Sequence, residues 1–594
     1  MAGLTSTPPA IVVLGSSALP TARRIQAALP GAAVHALHGR ATGDMAYVEL
    51  ASHLRELYSS GTPIIALCAA GIVIRCIAPL VANKGIEPPV LAVAEDGSAV
   101  VPLLGGLAGV NVLAREIARA LDTAPAITTS GELRFGTCLL NPPSGYTLAS
   151  VDDGKRFVSD LLAGASLRIE GDAPWLDAAR LPKDDSARHT VRVTPRIVES
   201  GRDDLVIHPH SVVAAIDGPG ESVAARVREA MQAREFALAS LAALIAPVDR
   251  IGETALEQAA LGLGVPLRFV DASPDHAGTA KVHGESDDTP IRAEAPSTQR
   301  VLQLLRAALP IPHEQALHTN GVALGISAEP IDVLTVGQAR GRLDVVGLGP
   351  GSAELMAPAA RAALTQATDI LGYETYLRMA GPFGAHQHVH GSDNREELQR
   401  ARHAFELASA GRHVAIVSSG DPGVFAMAAA VMEALDDACD ARWRTVDIRI
   451  VPGISAAMAT AAQAGAPLGH DFCVLSLSDN LKPWQVIEKR LRHAAEADLV
   501  IALYNPISRA RPWQLDKALE IVRGCRRPET HVVLGRDVGR PGAALVTTTL
   551  GALRSEQVDM RTTVIIGSTT TRAVPRGDTG DKGEWIYTPR WYEG

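Results

Sequence analysis

The chain has 594 residues, 47% of them hydrophobic and 20% charged, with a net charge of −9. That is longer than one hydrophobic core supports, so several domains are expected. With 4% aromatic residues and no run of lysine or arginine, the composition excludes a base-stacking platform and a basic nucleic-acid footprint.

The chain opens Met1-Ala2-Gly3-Leu4-Thr5, with no basic segment, and no secretory signal is expected. Residues 10–14 form a short apolar strand leading through Gly15-Ser16-Ser17 into a helix that reaches Leu29. Strands at 63–67 and 90–93 and a helix at 112–121 continue an α/β alternation. The longest apolar stretch, 63–74, stops at Arg75. It is too short to span a bilayer, and no membrane partner is expected. From Asp152 to Arg202 the chain is more polar and reads as less regular. A strand at 212–216, a long helix to about Ala233, a strand at 241–245, a helix at 255–262 and a strand at 267–270 follow. Residues 271–297, rich in Asp, Gly, Ser and Pro, read as a surface loop, and 331–341 as a linker. The six cysteines (68, 76, 138, 439, 473, 525) make no Cys-x-x-Cys pair. They read as buried thiols of a reducing cytoplasm, not as disulfides or zinc ligands, and no metal site is expected.

From Leu343 the pattern becomes regular. Leu343-Asp344-Val345-Val346 opens directly into Gly347-Leu348-Gly349-Pro350-Gly351-Ser352. A second strand, Val414-Ala415-Ile416-Val417, opens into Ser418-Ser419-Gly420-Asp421-Pro422-Gly423-Val424-Phe425. Glycine-rich junctions of this kind let a ligand approach the backbone at the carboxyl end of a parallel sheet. Between and after them come helices at 353–366, 395–410 and 426–435, and strands at 370–373 and 448–451. The last ends at Pro452-Gly453-Ile454-Ser455. Further strands at 473–477, 499–504, 531–534 and 564–567 alternate with helices. A dinucleotide fingerprint would need glycine where Ser352 stands, and Pro350 sits inside the turn. No phosphate-binding Gly-x-x-x-x-Gly-Lys-Ser/Thr run occurs.

The two junctions, in this order and wording, resemble the tetrapyrrole methyltransferases that use S-adenosylmethionine (SAM). The resemblance runs from Leu343 to Tyr592, and within that family it is to the precorrin-3B C-17 methyltransferases of cobalamin biosynthesis. Carrying it are Leu371-Gly372-Tyr373-Glu374-Thr375-Tyr376, residues 418–428, Gly469-His470-Asp471-Phe472-Cys473 with Ser476-Leu477-Ser478-Asp479, and Ala502-Leu503-Tyr504-Asn505-Pro506. Met560-Arg561-Thr562-Thr563-Val564-Ile565-Ile566-Gly567 and Thr588-Pro589-Arg590 agree; Trp591 departs, standing where the family has glycine before tyrosine. The resemblance implies a two-lobed α/β methylase fold, with lobes at 342–458 and 459–594, and a homodimer. It also implies SAM in the cleft between lobes, against Gly349, Gly420, Asp421, Val424, Phe425, Ser455, Ala456, Tyr504, Asn505, Thr562 and Thr563. Two structural alternatives stand: the glycines of 347–351 as tight-turn residues, and Asp421 as an N-cap of the following helix. Methyl transfer from a sulfonium needs alignment and exclusion of water rather than a metal. The ring contraction that the family also performs wants an acid or base, for which His470, Asp471, Ser476, Ser478 and Asp479 are the candidates. Arg509, Arg511 and Arg540 are candidate partners for the substrate's carboxylates, or else solvated surface cations.

The N-terminal half resembles the cobalt-precorrin-5A hydrolases, over about residues 10–330 and most clearly before Ser130. Gly71-Ile72-Val73-Ile74-Arg75-Cys76-Ile77-Ala78-Pro79-Leu80, residues 103–111 and Ala126-Ile127-Thr128-Thr129 carry it. It implies three smaller α/β pieces, at 1–135, 136–203 and 204–330. The family's Gly-His-x-Gly-Gly-Ala-Asn has become Gly105 to Asn111, with Gly106 in place of the histidine. Its Cys-Arg-Arg loop has become Ala214 to Gly220, and a lysine expected near Asp249 is replaced by Arg250. Two readings of this half remain open, a diverged substrate-handling module and a working hydrolase. For the whole chain a corrin-intermediate carrier that only binds is the non-enzymatic alternative.

Overall fold

The structure, a computed structural model, describes residues 8–81, 87–199, 201–218, 222–271, 296–309, 316–319, 321–384, 386–393, 396–576 and 583–591. It divides into two compact units, Met1–Gly341 with Ser409–Arg412 and Thr445–Asp447, and Arg342–Ala408 with His413–Arg444 and Ile448–Gly594.

The first unit carries three sheets. In the first, Met45–Tyr47, Ala33–Leu37, Ala10–Val13, Ile64–Leu67, Val90–Val93 and Val100–Leu104 lie side by side in that order, and only the last pairing is antiparallel. Strands such as Ala10–Val13 and Ile64–Leu67 are buried along their whole length, as a parallel sheet covered on both faces requires. The stretch 63–74 is thus a buried strand followed by the helix Ala70–Val81.

The second sheet orders Tyr146–Leu148, Asp204–Pro209, His189–Val193 and Leu167–Glu170. The expected irregularity of 152–202 is therefore corrected. Two of these strands and most of the helix Val151–Leu162 lie inside it, and Phe157, Leu161, Val191 and Val193 share one core. Its polar residues alternate outward and hide the pattern. Two expected boundaries also move. Phe135 packs into this second core, and Asp204–Pro209 pairs with His189–Val193, so the third piece begins after Pro209.

That third sheet orders Leu267–Val270, Leu241–Pro247, Val212–Ile216, Val322–Ile326 and Ala316–Thr319. The segment expected as a linker is docked on it. Val336 is fully buried in its core, Arg268 donates to Val336 O (2.6 Å) and Gly337 O (2.7 Å), and Gln338 bridges Phe269. The expected loop at 271–297 falls almost wholly outside the described residues. The cysteines are free, but Cys439 and Cys525 are exposed rather than buried. No helix among the described residues is long and apolar enough to cross a membrane, and no cluster of metal-ligating side chains occurs among them.

The second unit has two lobes. The first lobe's sheet orders His388–Ser392, Asp369–Tyr373, His413–Ser418, Arg342–Gly347 and Asp447–Val451. The pairings among the first four are parallel, so the carboxyl ends of those strands share one edge. The helix expected at 353–366 starts only at Pro358, after a 3-10 turn at Ala353–Leu355, because proline favours the first helical position. In the second lobe Phe472–Ser476, Val500–Tyr504, Thr562–Ile566, His531–Arg536 and Ala544–Thr549 form a mixed sheet. The helix Ala456–Ala464 buries Ala457, Ala461 and Ala464 against it. The lobe boundary thus falls before this helix, not at 458.

Candidate active site

Three turns interlock at the carboxyl edge of the first lobe's sheet. Gly349 N–H donates to Gly420 O (3.1 Å) and Gly420 N–H to Gly349 O (2.7 Å). A Cβ on Gly347 would sit 2.7 Å from Gly420 O and 2.8 Å from Gly453 N; one on Gly453 would sit 2.2 Å from Gly420 O. No side chain fits there, so backbone packs on backbone. Gly349 and Gly420 were expected to serve the cofactor. Their N–H groups are used on each other, so they shape the site rather than donate to a ligand. Asp421 closes the same joint: Oδ1 accepts from Gly423 N–H (2.8 Å) and Oδ2 from Gly453 N–H (3.0 Å). It is not the cap of the next helix, Met427–Asp436, whose N-cap is Ala426 and which begins under Ser418 Oγ (Met427 N–H, 3.3 Å).

The second lobe presents a matching edge. Ser476 pairs with Tyr504, Leu503 with Val564, and Gly535 with Thr563, so Ser476, Tyr504, Thr563 and the turn after Arg536 share one end of the sheet. Tyr504 joins the lobes. Its hydroxyl oxygen accepts from Ala457 N–H (2.7 Å), and its ring meets that of Phe425 edge-on at 5.7 Å. Ser455, the N-cap of the helix Ala456–Ala464, accepts from Met458 N–H (3.5 Å). Asn505 donates to Ser476 Oγ (3.1 Å). Phe425, Asn505 and Asp537 all hold left-handed φ, 54°, 51° and 48°. Asparagine and aspartate tolerate that region, but a phenylalanine there stores strain of the kind concentrated at functional sites.

The remaining expected residues divide. Val424 lies on the Phe425 turn. Thr562 donates to Asp559 Oδ1 (2.8 Å), whereas the hydroxyl of buried Thr563 has no partner among the described residues. Ser478 N–H donates to Ser476 Oγ (3.3 Å), and Asp479 Oδ2 accepts from Gln514 (3.0 Å). His470 and Asp471 stand apart from these. They precede the strand Phe472–Ser476, which puts them at the opposite edge of the sheet, on the order of 15–20 Å along the chain from Ser476. Sequence proximity to Ser476 was misleading because a strand carries its two ends to opposite edges.

The three arginines are likewise separated. Arg540 donates through Nε to Pro350 O (3.0 Å) and through Nη2 to Ser419 Oγ (2.8 Å). It ties the second lobe to the turns of the first and is not an open cation. Arg511 is buried and donates to Asn505 O (3.2 Å); Arg509 is exposed. Two groups near this edge were not anticipated. Arg400 is buried, donating to Ser392 Oγ (2.7 Å) and Asp393 O (2.6 Å), and burial pulls it below its ordinary value. Tyr376 is raised by burial, which Arg540 partly opposes. The Tyr373–Tyr376 wording was a visible signal for the tyrosine; Arg400 was one charge among many on its helix.

Among the described residues of the first unit, the hydrolase-type positions carry no assembled acid–base pair. His208 Nδ1 meets Thr194 O (2.8 Å) and His210 Nε2 meets Thr147 Oγ1 (2.7 Å), and burial lowers both imidazoles. Asp217 and Asp249 both face Arg300 (3.4 and 2.6 Å), and Arg250 pairs with Glu253. Gly106 is exposed between the left-handed Gly105 and Gly109.

Residues 342–554 match the Tetrapyrrole (Corrin/Porphyrin) Methylases, and residues 52–132 match a family described as Cobalamin synthesis G N-terminal. A precorrin-3B C(17)-methyltransferase from Sinorhizobium sp is 52% identical over 254 residues, which are 43% of this chain and 98% of that protein. The chain belongs to the tetrapyrrole methylases. A probable cobalt-factor III C(17)-methyltransferase of Salmonella typhimurium is 41% identical over 40% of this chain and 99% of its own length. The cobalamin biosynthesis protein CobIJ of Mycobacterium bovis is 46% identical over 42% of this chain and 48% of its own length. Among solved structures, the methyltransferase CobJ matches with a TM-score of 0.39 and 48% identity, over 42% of this chain and 100% of that one.

As a tetrapyrrole methylase the chain is an enzyme, a methyltransferase whose donor is SAM. Its site fits that donor. The hydroxyl of buried Thr563 has no partner among the described residues, and Tyr504 and Ser455 accept backbone N–H groups and keep their own protons to donate. Phe425 and Ile454 leave apolar surface open at the same turns.

Proposed function

We propose that the second unit methylates precorrin-3B at C-17, with ring contraction, in cobalamin biosynthesis. The observation that carries this reading is the interlocked 347–351, 420–423 and 453–455 turns with Tyr504 reaching Phe425 across the lobe junction, in a half that is 52% identical over 254 residues to an enzyme of that name. Bound SAM supplies an electrophilic methyl group on a sulfonium. Val424, Phe425, Ser455, Ala456, Tyr504, Asn505 and Thr563 would hold it, while Gly349, Gly420, Asp421 and Arg540 fix the turns. Rigid turns of this kind lower the barrier by pre-alignment rather than by acid–base chemistry. Ring contraction needs a proton acceptor. Asp479 is engaged through Oδ2 only among the described residues, which leaves Oδ1 to take a proton beside Ser476 and Ser478. His470 and Asp471 do not reach this edge of their own subunit's sheet.

Mass spectrometry of the product from precorrin-3B and SAM tests the reading. One added methyl with a contracted ring is expected; an unchanged substrate overturns it. The cobalt-bound analogue forms the second arm, because a 41%-identical relative is named for cobalt-factor III. The first unit we read as a diverged hydrolase-like module. The methyltransferase half is expected to be a homodimer, as its family resemblance implies, and a monomer mass in light scattering at micromolar concentration contradicts that.

A further inference from the structure

The loop that leaves Ser476 carries a cation with no counter-charge among the described residues. Lys482 Nζ lies 5.8 Å from the centroid of the Phe425 ring, so a side chain of the second lobe reaches over the strained aromatic of the first. Phe425 is half exposed and is itself braced by Tyr504. The ammonium therefore stands at the mouth of the junction where the turns converge. No carboxylate lies within ion-pair distance of it among the described residues. Burial and the like charge of Arg490 pull it below its ordinary value. A half-buried cation with an aromatic face for its neighbour is stabilised only weakly, and desolvation without an anion is unfavourable. Of the other cations at this edge, Arg540 is engaged with Pro350 and Ser419, and Arg511 with Asn505.

We infer that Lys482 is a substrate-binding residue that takes a side-chain carboxylate of the tetrapyrrole beside the Phe425 ring. This rests on the proposed tetrapyrrole substrate. It adds a contact that Arg511 and Arg540, both engaged with protein oxygens, do not supply. The lysine is poised because its charge is open among the described residues: a carboxylate arriving there gains a charge-assisted hydrogen bond without displacing an internal partner. A second source of the same chemistry is the carboxylate of SAM, and the two are separable by measurement.

The test uses the full-length protein. Lys482→Gln should raise the KM for precorrin-3B about tenfold, the loss expected for one charge-assisted contact. The SAM dissociation constant from calorimetry should stay unchanged, and Lys482→Arg should restore most of the KM. A parallel arm titrates wild type and Lys482→Gln with uroporphyrin III and with its neutral octamethyl ester, read by porphyrin fluorescence. The variant should lose affinity for the acid and not for the ester. An unchanged tetrapyrrole KM in a folded variant, or a loss confined to SAM, overturns the assignment. Absence of precorrin turnover by the wild type counts against the function instead, and the porphyrin titration still decides whether Lys482 reads a carboxylate.

Discussion

Asp421 looked in the sequence like a ligand acceptor, and its carboxylate instead holds two backbone N–H groups of neighbouring turns. Its effect on SAM should therefore come with an effect on the fold. Asp421→Ala is expected to weaken SAM binding by about 1–3 kcal/mol, the range for losing hydrogen bonds to a charged acceptor, and also to lower the melting temperature. Calorimetry and thermal unfolding of one preparation check both, and lost affinity with unchanged melting would return Asp421 to a ligand contact. Asp344 is the other carboxylate whose role is set by its surroundings. It is fully buried in the strand Arg342–Gly347, accepting from Arg342 (2.9 Å) and His413 (2.7 Å). Burial alone would raise its carboxyl, but the His413 and Arg342 hydrogen bonds outweigh it and hold the group below its ordinary value. A carboxylate lowered by folding contributes stability in full above its unfolded value, about 4, and loses it as pH falls through the lower folded value. Asp344→Ala should cost about 2 kcal/mol at neutral pH, less than for a wholly buried pair because both partners are partly exposed. The gap to wild type should narrow in acid. Urea unfolding at neutral pH and below the carboxylate range measures it; a gap independent of pH would mean that packing, not charge, holds the site.

Among elements, the turns matter more than the strands that end in them. The sequence made the glycine junctions after Val346 and Val417 visible, since an apolar run and a glycine cluster are both local signals. It did not show that the third turn, at Gly453, packs backbone to backbone on the other two. Gly453→Ala puts a methyl 2.2 Å from Gly420 O, where only backbone could move. We expect a loss of about 2–3 kcal/mol of stability, as for other overpacked sites, with SAM binding abolished. Gly262→Ala, with open space around its Cβ, is the control. Equal melting temperatures for the two variants would contradict the interlocked turns. The same distinction explains His470. Its place in a family-specific run was legible, but whether it reaches Ser476 depends on strand direction, and the five residues of Phe472–Ser476 separate them. It also explains the sheet in 146–209, whose strands are half polar and so lack a continuous apolar run.

For the whole molecule, the division at Gly341 and Arg342 predicts that the fragment 342–594 folds alone and binds SAM within a few-fold of the full chain; calorimetry on the fragment checks this. The complementary fragment 1–341 should release little acetaldehyde from cobalt-precorrin-5A. Lactone opening at neutral pH needs a positioned acid–base group or an activated nucleophile. His208 and His210 are each bonded within their own sheet, and Gly106 has no side chain to offer. Turnover matching an authentic hydrolase would overturn the diverged reading. By itself the sequence determined the α/β class and the methylase family of the second half, because these rest on periodicity, glycine turns and contiguous motifs. Only the tertiary structure decided which candidates meet. The docking of 331–341, the joining of the lobes by Arg540 and Tyr504, and the open charge of Lys482 depend on contacts between segments far apart in the chain, and no local pattern encodes those.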